Sequence, residues 1–167
     1  AAFAAALALA LANQAALAGL ARCDVLRNRH AEALQGFRRA AGLEPEQPAH
    51  RWNAALSALA LGDAAGWCDY EARWEFPGLA RDLPSRRWTG AEPLAGRTIL
   101  LWAEQGFGDA IQFIRYAAPL AARGARLLLE APAPLVRLFA GIAPTIARGD
   151  RLPPHAFNRP LLSLPLA

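Results

Sequence analysis

The stretch LLWAEQGFGDAIQFIRY, residues 100–116, joins an apolar run to an amphipathic segment through a short loop with two glycines. The apolar run extends back to residue 97 as RTILLW, which is typical of a strand buried on both faces of a parallel sheet. A helix is predicted over residues 108–122, with a kink at Pro119. Its apolar face is predicted to contain Ala110, Phe113, Ile114, Ala117 and Ala121.

The following residues repeat this strand and helix pattern. ARLLLE at 125–130 predicts a second strand, residues 132–141 a second helix, residues 145–147 a weak third strand and residues 161–164 a possible fourth. Strands that alternate with helices in this way form parallel sheets with right-handed crossovers. Residues 97–167 are therefore predicted to form part of an α/β domain with a parallel sheet.

The amino-terminal half has a different period. In RHAEALQGFRRAAGLEP, residues 29–45, the four residues Ala33, Phe37, Ala40 and Pro45 have the spacing that ends a tetratricopeptide unit. Small alanines let two helices approach closely, and the phenylalanine fills the gap between them. The spacing predicts one helical unit of about 34 residues over 14–47.

A second unit is predicted to begin at Pro48, with Asn53 at a position where the repeat often has Asn and a turn at residues 62–63. Its second helix, AAGWCDYEARWEF at 64–76, has Trp67 and Trp74 where small residues are expected, which indicates a terminal repeat. Phe3 and Ala6 lie in register with the end of a preceding unit, although Leu11 stands where its Pro is expected. The alternative to a repeat is a generic helical hairpin.

Residues 77–96 are rich in Pro, Gly and Arg and predict a connector. The predicted organisation is a set of tetratricopeptide-like helical repeats over 1–76, a linker over 77–96 and a partial Rossmann-like domain over 97–167. The predicted fold class is thus α plus α/β. Because the sequence contains no Met and opens inside an apolar periodic run, we expect it to be an excerpt of a longer protein.

A net charge of +4 and a pI near 10 raise the possibility of nucleic-acid binding. All eighteen basic residues are arginines, however, and they are scattered along the chain, which indicates codon bias. The nearest approach to a patch is Arg81, Arg86 and Arg87, and three arginines in a connector favour a solvated or packing role. We therefore expect no nucleic-acid partner.

Two further features concern the cellular compartment. Cys23 and Cys68 are too few and too far apart for a disulfide framework or a zinc site, which favours a reducing compartment. The first 21 residues carry no charge, as in a signal peptide or a membrane span, but they lack a basic flank and contain the polar pair Asn13 and Gln14. We predict a cytoplasmic protein without a transmembrane segment.

The loop at 103–109 lies where ligands bind in parallel α/β sheets, beyond the carboxyl end of a strand. Three interpretations compete for it. As a phosphate cradle it is a poor match, since GFGDAI lacks the third glycine, although Glu130 could bind a ribose in a dinucleotide-dependent oxidoreductase. Asp109 is also a good helix N-cap, and that role alone explains its position. Alternatively its carboxylate acts as a base toward a hydroxyl group, and this is compatible with capping because one oxygen can serve each role.

The string EQGFGDAIQFIRY at 104–116 resembles a specific family when it is taken with Trp88, Gly90 and Gly96, with RGARLLLEAPAPLVRLF and with PLLSLPLA. It is similar to bacterial proteins that join tetratricopeptide repeats to a glycosyltransferase domain like that of the family-nine heptosyltransferases. The resemblance covers nearly the whole chain. It implies a GT-B glycosyltransferase, in which the acceptor binds to the first of two Rossmann-like halves and a nucleotide-sugar binds to the second. We expect this sequence to contain part of the first half and none of the second.

In those relatives the acid of the Gly-Asp pair deprotonates the acceptor hydroxyl in an inverting, metal-independent displacement, and the resemblance carries this role to Asp109. No cofactor is implied, because the nucleotide-sugar is a substrate. The same string supplies candidate substrate-binding residues, which are Glu104, Gln105, Gly106, Gly108, Gln112 and Arg115. One departure is that the chain lacks the acid that relatives have before PLLSLP, and we expect nearby His155 to be a loop residue and not a substitute base.

Three functions follow as expectations. The first is a glycosyltransferase that transfers a sugar from a nucleotide-sugar to a hydroxyl acceptor, with the repeats binding a partner or the acceptor; the chain alone is expected to be inactive. The alternative is a non-catalytic scaffold whose repeats bind a protein partner. A minor alternative is the dinucleotide-binding oxidoreductase.

Overall fold

The computed structural model describes residues 13–167, which divide into a helical unit ending at Arg81 and an α/β unit over Asp82–Ala167. The described residues contain seven α-helices and five strands that pair in parallel. The coarse prediction of helices followed by a parallel α/β unit is therefore confirmed. The predictions about residues 1–12, including the earlier repeat, lie outside the described residues.

The helical unit consists of α1 (Gln14–Leu26), α2 (His30–Leu43), α3 (Pro48–Ala60) and α4 (Gly66–Tyr70), followed by a 3₁₀ segment over Glu71–Glu75. Each helix packs against the next along the chain. Its core contains Ala21, Ala33, Phe37 and Ala54. The alanines and phenylalanine of the predicted repeat are therefore buried together, as their spacing requires.

Close approach of the backbones explains two glycines in this unit. A Cβ atom at Gly36 would lie 2.9 Å from the Cβ of Ala21, so α1 and α2 meet where a side chain is absent. A Cβ at Gly66 would lie 3.0 Å from the carbonyl oxygen of Ala55, which brings α4 equally close to α3. Small residues thus determine how near these helices pack.

The predicted long helix over residues 64–76 is shorter in the structure and changes to a 3₁₀ segment after Tyr70. The reason lies in Arg73, which is almost fully buried and donates through Nη1 to the carbonyl oxygen of Tyr70 at 3.1 Å. Its guanidinium lies between the rings of Tyr70 and Trp74, 4.4 and 4.3 Å from their centroids. These cation–π contacts hold the tighter turn.

The α/β unit contains β1 (Arg86–Arg87), β2 (Thr98–Trp102), α5 (Phe107–Phe113), α6 (Ala117–Ala122), β3 (Arg126–Ala131), α7 (Val136–Phe139), β4 (Thr145–Ala147) and β5 (Phe157–Pro160). The sheet has the order β1-β5-β2-β3-β4, so β2 is central, and its residues 99–102 are fully buried. Short 3₁₀ segments follow α5, β3 and β5, over Ile114–Tyr116, Ala133–Leu135 and Leu161–Leu166.

The single helix predicted over residues 108–122 is divided by the 3₁₀ segment that follows α5. Ala110, Phe113, Ile114 and Ala117 are buried, as predicted, but Ala121 is exposed. Because a 3₁₀ segment has three residues per turn, it shifts the phase of the helix that follows. Leu120 therefore takes the buried position on α6.

The predicted strand over residues 161–164 is wrong. The strand lies four residues earlier, as β5, and the LLSLPL run is the 3₁₀ segment that follows it. Arg159, at the end of β5, donates to the carbonyl oxygen of Ser163 through Nη2 at 2.8 Å and through Nε at 3.3 Å. These bonds turn the chain back, and an apolar run by itself does not distinguish a buried turn from a buried strand.

The predicted connector differs from the structure in its second part. Arg86 and Arg87 form β1, which pairs with Phe157 and Asn158 of β5. Trp88, which follows directly, is buried and donates from its ring nitrogen to the carbonyl oxygen of Glu92 at 2.9 Å. Residues 82–96 therefore belong to the α/β unit.

Candidate functional site

The sheet order places a topological switch at β2. The chain moves from β2 to β3 and β4 on one side, and β5 then returns to the other side of β2. Trp102 pairs with Glu130 on one side and with Pro160 on the other, so the three strands end level with one another. In parallel sheets the crevice at such a switch, beyond the carboxyl ends of the strands, is where ligands bind.

Two segments surround this crevice. The loop after β2 leads into α5, and the 3₁₀ segment over Leu161–Leu166 after β5 packs against α5. The loop is tied to the sheet because the N–H of Ala103 donates to the carbonyl oxygen of Glu130 at 2.9 Å. The candidate residues of the 104–115 string thus lie on this loop, on α5 and, for Arg115, on the 3₁₀ segment that follows α5.

Asp109 is the third residue of α5 and not its N-cap, which is Gly106. The interpretation of Asp109 as the N-cap is therefore wrong in position, although its carboxylate does accept a hydrogen bond at this end of the helix. Its Oδ2 accepts a hydrogen bond from the N–H of Gly106 at 3.1 Å, in the backward-reaching half of a capping box. The side chain is half-buried, and its Oδ1 has no hydrogen-bond partner among residues 13–167.

Neither Gly106, the N-cap of α5, nor Gly108 in its first turn has left-handed backbone. The residue with left-handed backbone is Gln105, with φ of 56°, whereas Gly106 has φ of −84°. A Cβ at Gly106 would lie 3.2 Å from Oδ2 of Asp109, so a larger residue there would require the carboxylate to shift by a few tenths of an ångström. Nothing lies within 4 Å of a Cβ built at Gly108, so that glycine leaves open space beside the start of α5.

The other predicted site residues differ in accessibility. Glu104 is 7% exposed, whereas Gln105, Gln112 and Arg115 are exposed. Arg115 donates through Nε to the carbonyl oxygen of Gln112 at 2.8 Å, within its own helical segment. Gln105 lies on the loop beside the crevice, Gln112 lies further along α5, and Arg115 lies on the 3₁₀ segment after it.

Sequence reasoning missed two arginines at this edge. Arg148 follows β4, and its guanidinium donates to the carbonyl oxygen of Ala103 on the loop after β2. Arg159 is 5% exposed and donates through Nη1 to the carbonyl oxygen of Trp88 at 2.7 Å, in addition to its bonds to Ser163. Only the strand order brings Arg148 to the loop, and the sequence did not predict that order.

Two alternative site residues are placed by the same topology. His155 precedes β5, so it lies at the amino edge of the sheet, opposite to the edge that holds Asp109. It is therefore a loop residue, as predicted. Glu130, the ribose-binding candidate of the dinucleotide interpretation, is only 3% exposed within β3, which leaves its carboxylate inaccessible to a ribose in this conformation.

Within residues 13–167, no group of three or more His, Cys, Asp or Glu side chains is placed to hold a metal ion. Over the same range, each helix is too short or too polar to cross a membrane. Cys23 and Cys68 are free thiols.

No protein-family model matches the chain, and no curated protein matches it.

Proposed function

We propose that the protein is part of an inverting glycosyltransferase of the GT-B type and that Asp109 is its general base. The proposal rests on the different surroundings of the two oxygen atoms of the Asp109 carboxylate. Oδ2 is held by the Gly106 N–H, and Oδ1 has no partner among the described residues. A carboxylate fixed through one oxygen presents the other in a defined direction, which is what proton abstraction from a bound hydroxyl requires.

The surroundings of Asp109 support the same role. It follows β2 at the switch point, where a parallel sheet holds its ligands. The exposed Gln105 and the open space at Gly108 leave room for an acceptor beside the carboxylate. The hydroxyl would lose its proton to Oδ1 as its oxygen attacks the anomeric carbon of the sugar, and the nucleoside diphosphate would leave with the bonding electrons.

Arg148 would position the loop for this step. Its bond to the Ala103 carbonyl oxygen links the end of β4 to the loop that leads to Asp109. In the proposed enzyme the nucleotide of the donor is bound by a second α/β half. The 167-residue chain alone is then expected to bind nucleotide-sugars weakly and not to turn over.

The experiment is a screen of nucleotide-sugars for release of nucleoside diphosphate by the full-length protein, with Asp109→Asn as the matched variant. Asn keeps a side-chain oxygen that can accept from Gly106 but cannot take a proton. We expect kcat to fall by about a hundredfold or more. Turnover by the variant at the wild-type rate would leave Asp109 with a capping role only.

A second role, for the helical unit, is supported by an exposed cavity of about 200 Å³ lined by Arg22, Val25, Leu26, Phe37 and Asn53. Leu26, one of these lining residues, is 88% exposed and presents an apolar side chain to solvent. We propose that these residues of a tetratricopeptide-like array bind a protein partner or the acceptor. Loss of partner capture in Leu26→Ser, with unchanged thermal stability, would support this role, whereas unchanged capture would contradict it.

A further inference from the structure

The amino edge of the parallel sheet contains two cavities that share lining residues, on the side opposite to Asp109. One has a volume of about 420 Å³ and is lined by Pro84, Arg151, Leu152, Pro153, Pro154 and His155. The other has a volume of about 450 Å³ and is lined by Gly96, Arg97, Thr98, Pro154, His155 and Ala156. Because Pro154 and His155 line both cavities, the two adjoin each other as one open groove, and each has a volume in the range that small ligands occupy.

One arginine lines each cavity, Arg151 the first and Arg97 the second, and the guanidinium carbon of Arg97 lies 5.7 Å from the centroid of the Phe157 ring. Arg97 and Arg151 are exposed, and neither forms an ion pair with any residue in the range 13–167. Asp150, the neighbour of Arg151, is held instead by the N–H of Ala147, which donates to its Oδ2 at 3.1 Å. Guanidinium groups bind phosphates and carboxylates through paired N–H donors, so the groove favours a ligand with an anionic group toward each end.

His155 lines both cavities, and one of its two ring nitrogens has no hydrogen-bond partner among residues 13–167. Its Nδ1 lies 2.7 Å from the carbonyl oxygen of Pro153, and because a carbonyl oxygen only accepts, Nδ1 carries the hydrogen. Nε2 is then an acceptor in the neutral ring, and it is buried without a hydrogen-bond partner. A buried acceptor without a partner destabilises the loop, and a hydroxyl group that reaches it by a small shift of the ring edge would remove that cost.

The remaining walls are apolar. Pro84, Leu152, Pro153 and Pro154 present carbon surfaces, and the proline nitrogens have no hydrogen to donate. Such walls pack against the C–H groups of a carbon chain. The groove therefore combines charge at both ends, a hydrogen-bond acceptor between them and an apolar side.

We propose that this groove binds a short polyol that carries an anionic group, phosphate or carboxylate, at each end. The site is separate from the crevice at the carboxyl edge, and it stands whether or not Asp109 is a general base. The shared chemistry is two oxyanions joined by a hydroxylated carbon chain.

The test is a titration of the whole chain, monitored by the ¹⁵N resonances of the His155 ring. Fructose 1,6-bisphosphate and glucarate distinguish phosphate from carboxylate ends, and adipate is the matched dianion without hydroxyl groups. We expect saturable binding of at least one of the two polyols, with an upfield shift of Nε2 as it accepts a hydrogen bond. Adipate is expected to bind more weakly and to leave Nε2 unshifted.

Two exposed arginines allow variants that keep the fold. Arg97→Gln and Arg151→Gln are each expected to weaken binding about tenfold or more, whereas Arg137→Gln, on the exposed side of α7, is expected to change it less than twofold. Three results would each overturn the proposal: no saturation by either polyol at 10 mM, equal weakening by Arg137→Gln, or wild-type binding by both groove variants. An equal Nε2 shift with adipate would overturn the role of the hydroxyl.

Discussion

Asp109 accepts a hydrogen bond from the N–H of Gly106 at 3.1 Å through one carboxylate oxygen, and its second oxygen has no partner among residues 13–167. The effect of Asp109 on stability can therefore be tested separately from its proposed role as a base. Asn keeps an acceptor for the Gly106 N–H, whereas Ala removes it. We therefore predict that Asp109→Asn changes the free energy of unfolding by less than about 0.5 kcal/mol and that Asp109→Ala lowers it by about 1 kcal/mol.

Urea unfolding of both variants, followed by far-UV circular dichroism, measures this difference. Equal loss of stability in Asn and Ala variants would contradict the capping role of Oδ2.

The contact between Gly36 and Ala21 predicts opposite effects for two glycine substitutions in α2. Gly36→Ala places a Cβ 2.9 Å from the Cβ of Ala21, and the resulting shift of the helices outweighs the better helix propensity of Ala. Gly42 is exposed, and nothing lies within 4 Å of a Cβ built there. We expect Gly36→Ala to lower the free energy of unfolding by about 1 kcal/mol and Gly42→Ala to raise it by about 0.5 kcal/mol.

The urea midpoints of the two variants provide the comparison, with Gly42→Ala as the control for helix propensity. A stabilising Gly36→Ala substitution would show that α1 and α2 do not pack as closely as described.

The spacing of Ala33, Phe37 and Ala40 was sufficient to predict that these three side chains are buried, because helical periodicity alone puts them on one face. The buried strand at β2 was equally evident from its apolar run. The strand at Arg86–Arg87 was not, since two charged residues beside Pro and Gly carry no strand signal and pair only because β5 lies next to them. Arg148 was missed for a related reason: its contact with Ala103 depends on the order of β2, β3 and β4 in the sheet.

The left-handed backbone of Asn28, at the end of α1, predicts that two substitutions of this residue differ in their effect on stability. Asn28 has φ of 58°, and the N–H groups of Asn28 and Arg29 donate to the carbonyl oxygens of Val25 and Asp24 at 2.9 and 2.8 Å. This is a Schellman motif, in which Gly is the most favourable residue at the left-handed position. We predict that Asn28→Ala lowers the melting temperature, with a cost of about 1 kcal/mol, and that Asn28→Gly leaves it unchanged or slightly higher.

Thermal unfolding monitored at 222 nm gives both values. An Asn28→Ala variant as stable as the Asn28→Gly variant would argue against left-handed backbone at this residue.

A carboxylate between helices predicts a pH dependence of stability. Hydrogen bonds from His50, whose Nε2 lies 3.0 Å from Oε2, and from Gln14, whose Nε2 lies 2.7 Å from Oε1, hold the pKa of Glu44 below its usual value. The folded state therefore binds a proton at Glu44 more weakly than the unfolded state does. The stability that the ionised carboxylate provides is fully present above the unfolded pKa of about 4.3, and it is lost as the pH falls through the lower folded pKa.

Melting temperatures measured from pH 6 to pH 3 are expected to fall more steeply for the wild type than for Glu44→Gln, which has no carboxyl group to titrate at this position. Parallel pH profiles for the two proteins would contradict the contribution of Glu44.

The central claim is that Oδ1 of Asp109 takes a proton from the acceptor. The most direct measurement is a crystal structure of the full-length protein with acceptor and an inert nucleotide-sugar analogue. We predict an acceptor hydroxyl oxygen about 2.6–3.2 Å from Oδ1 while Oδ2 remains bonded to the Gly106 N–H. An acceptor whose hydroxyl oxygens all lie more than about 6 Å from the Asp109 carboxylate, too far for a single bridging water, would contradict the assignment.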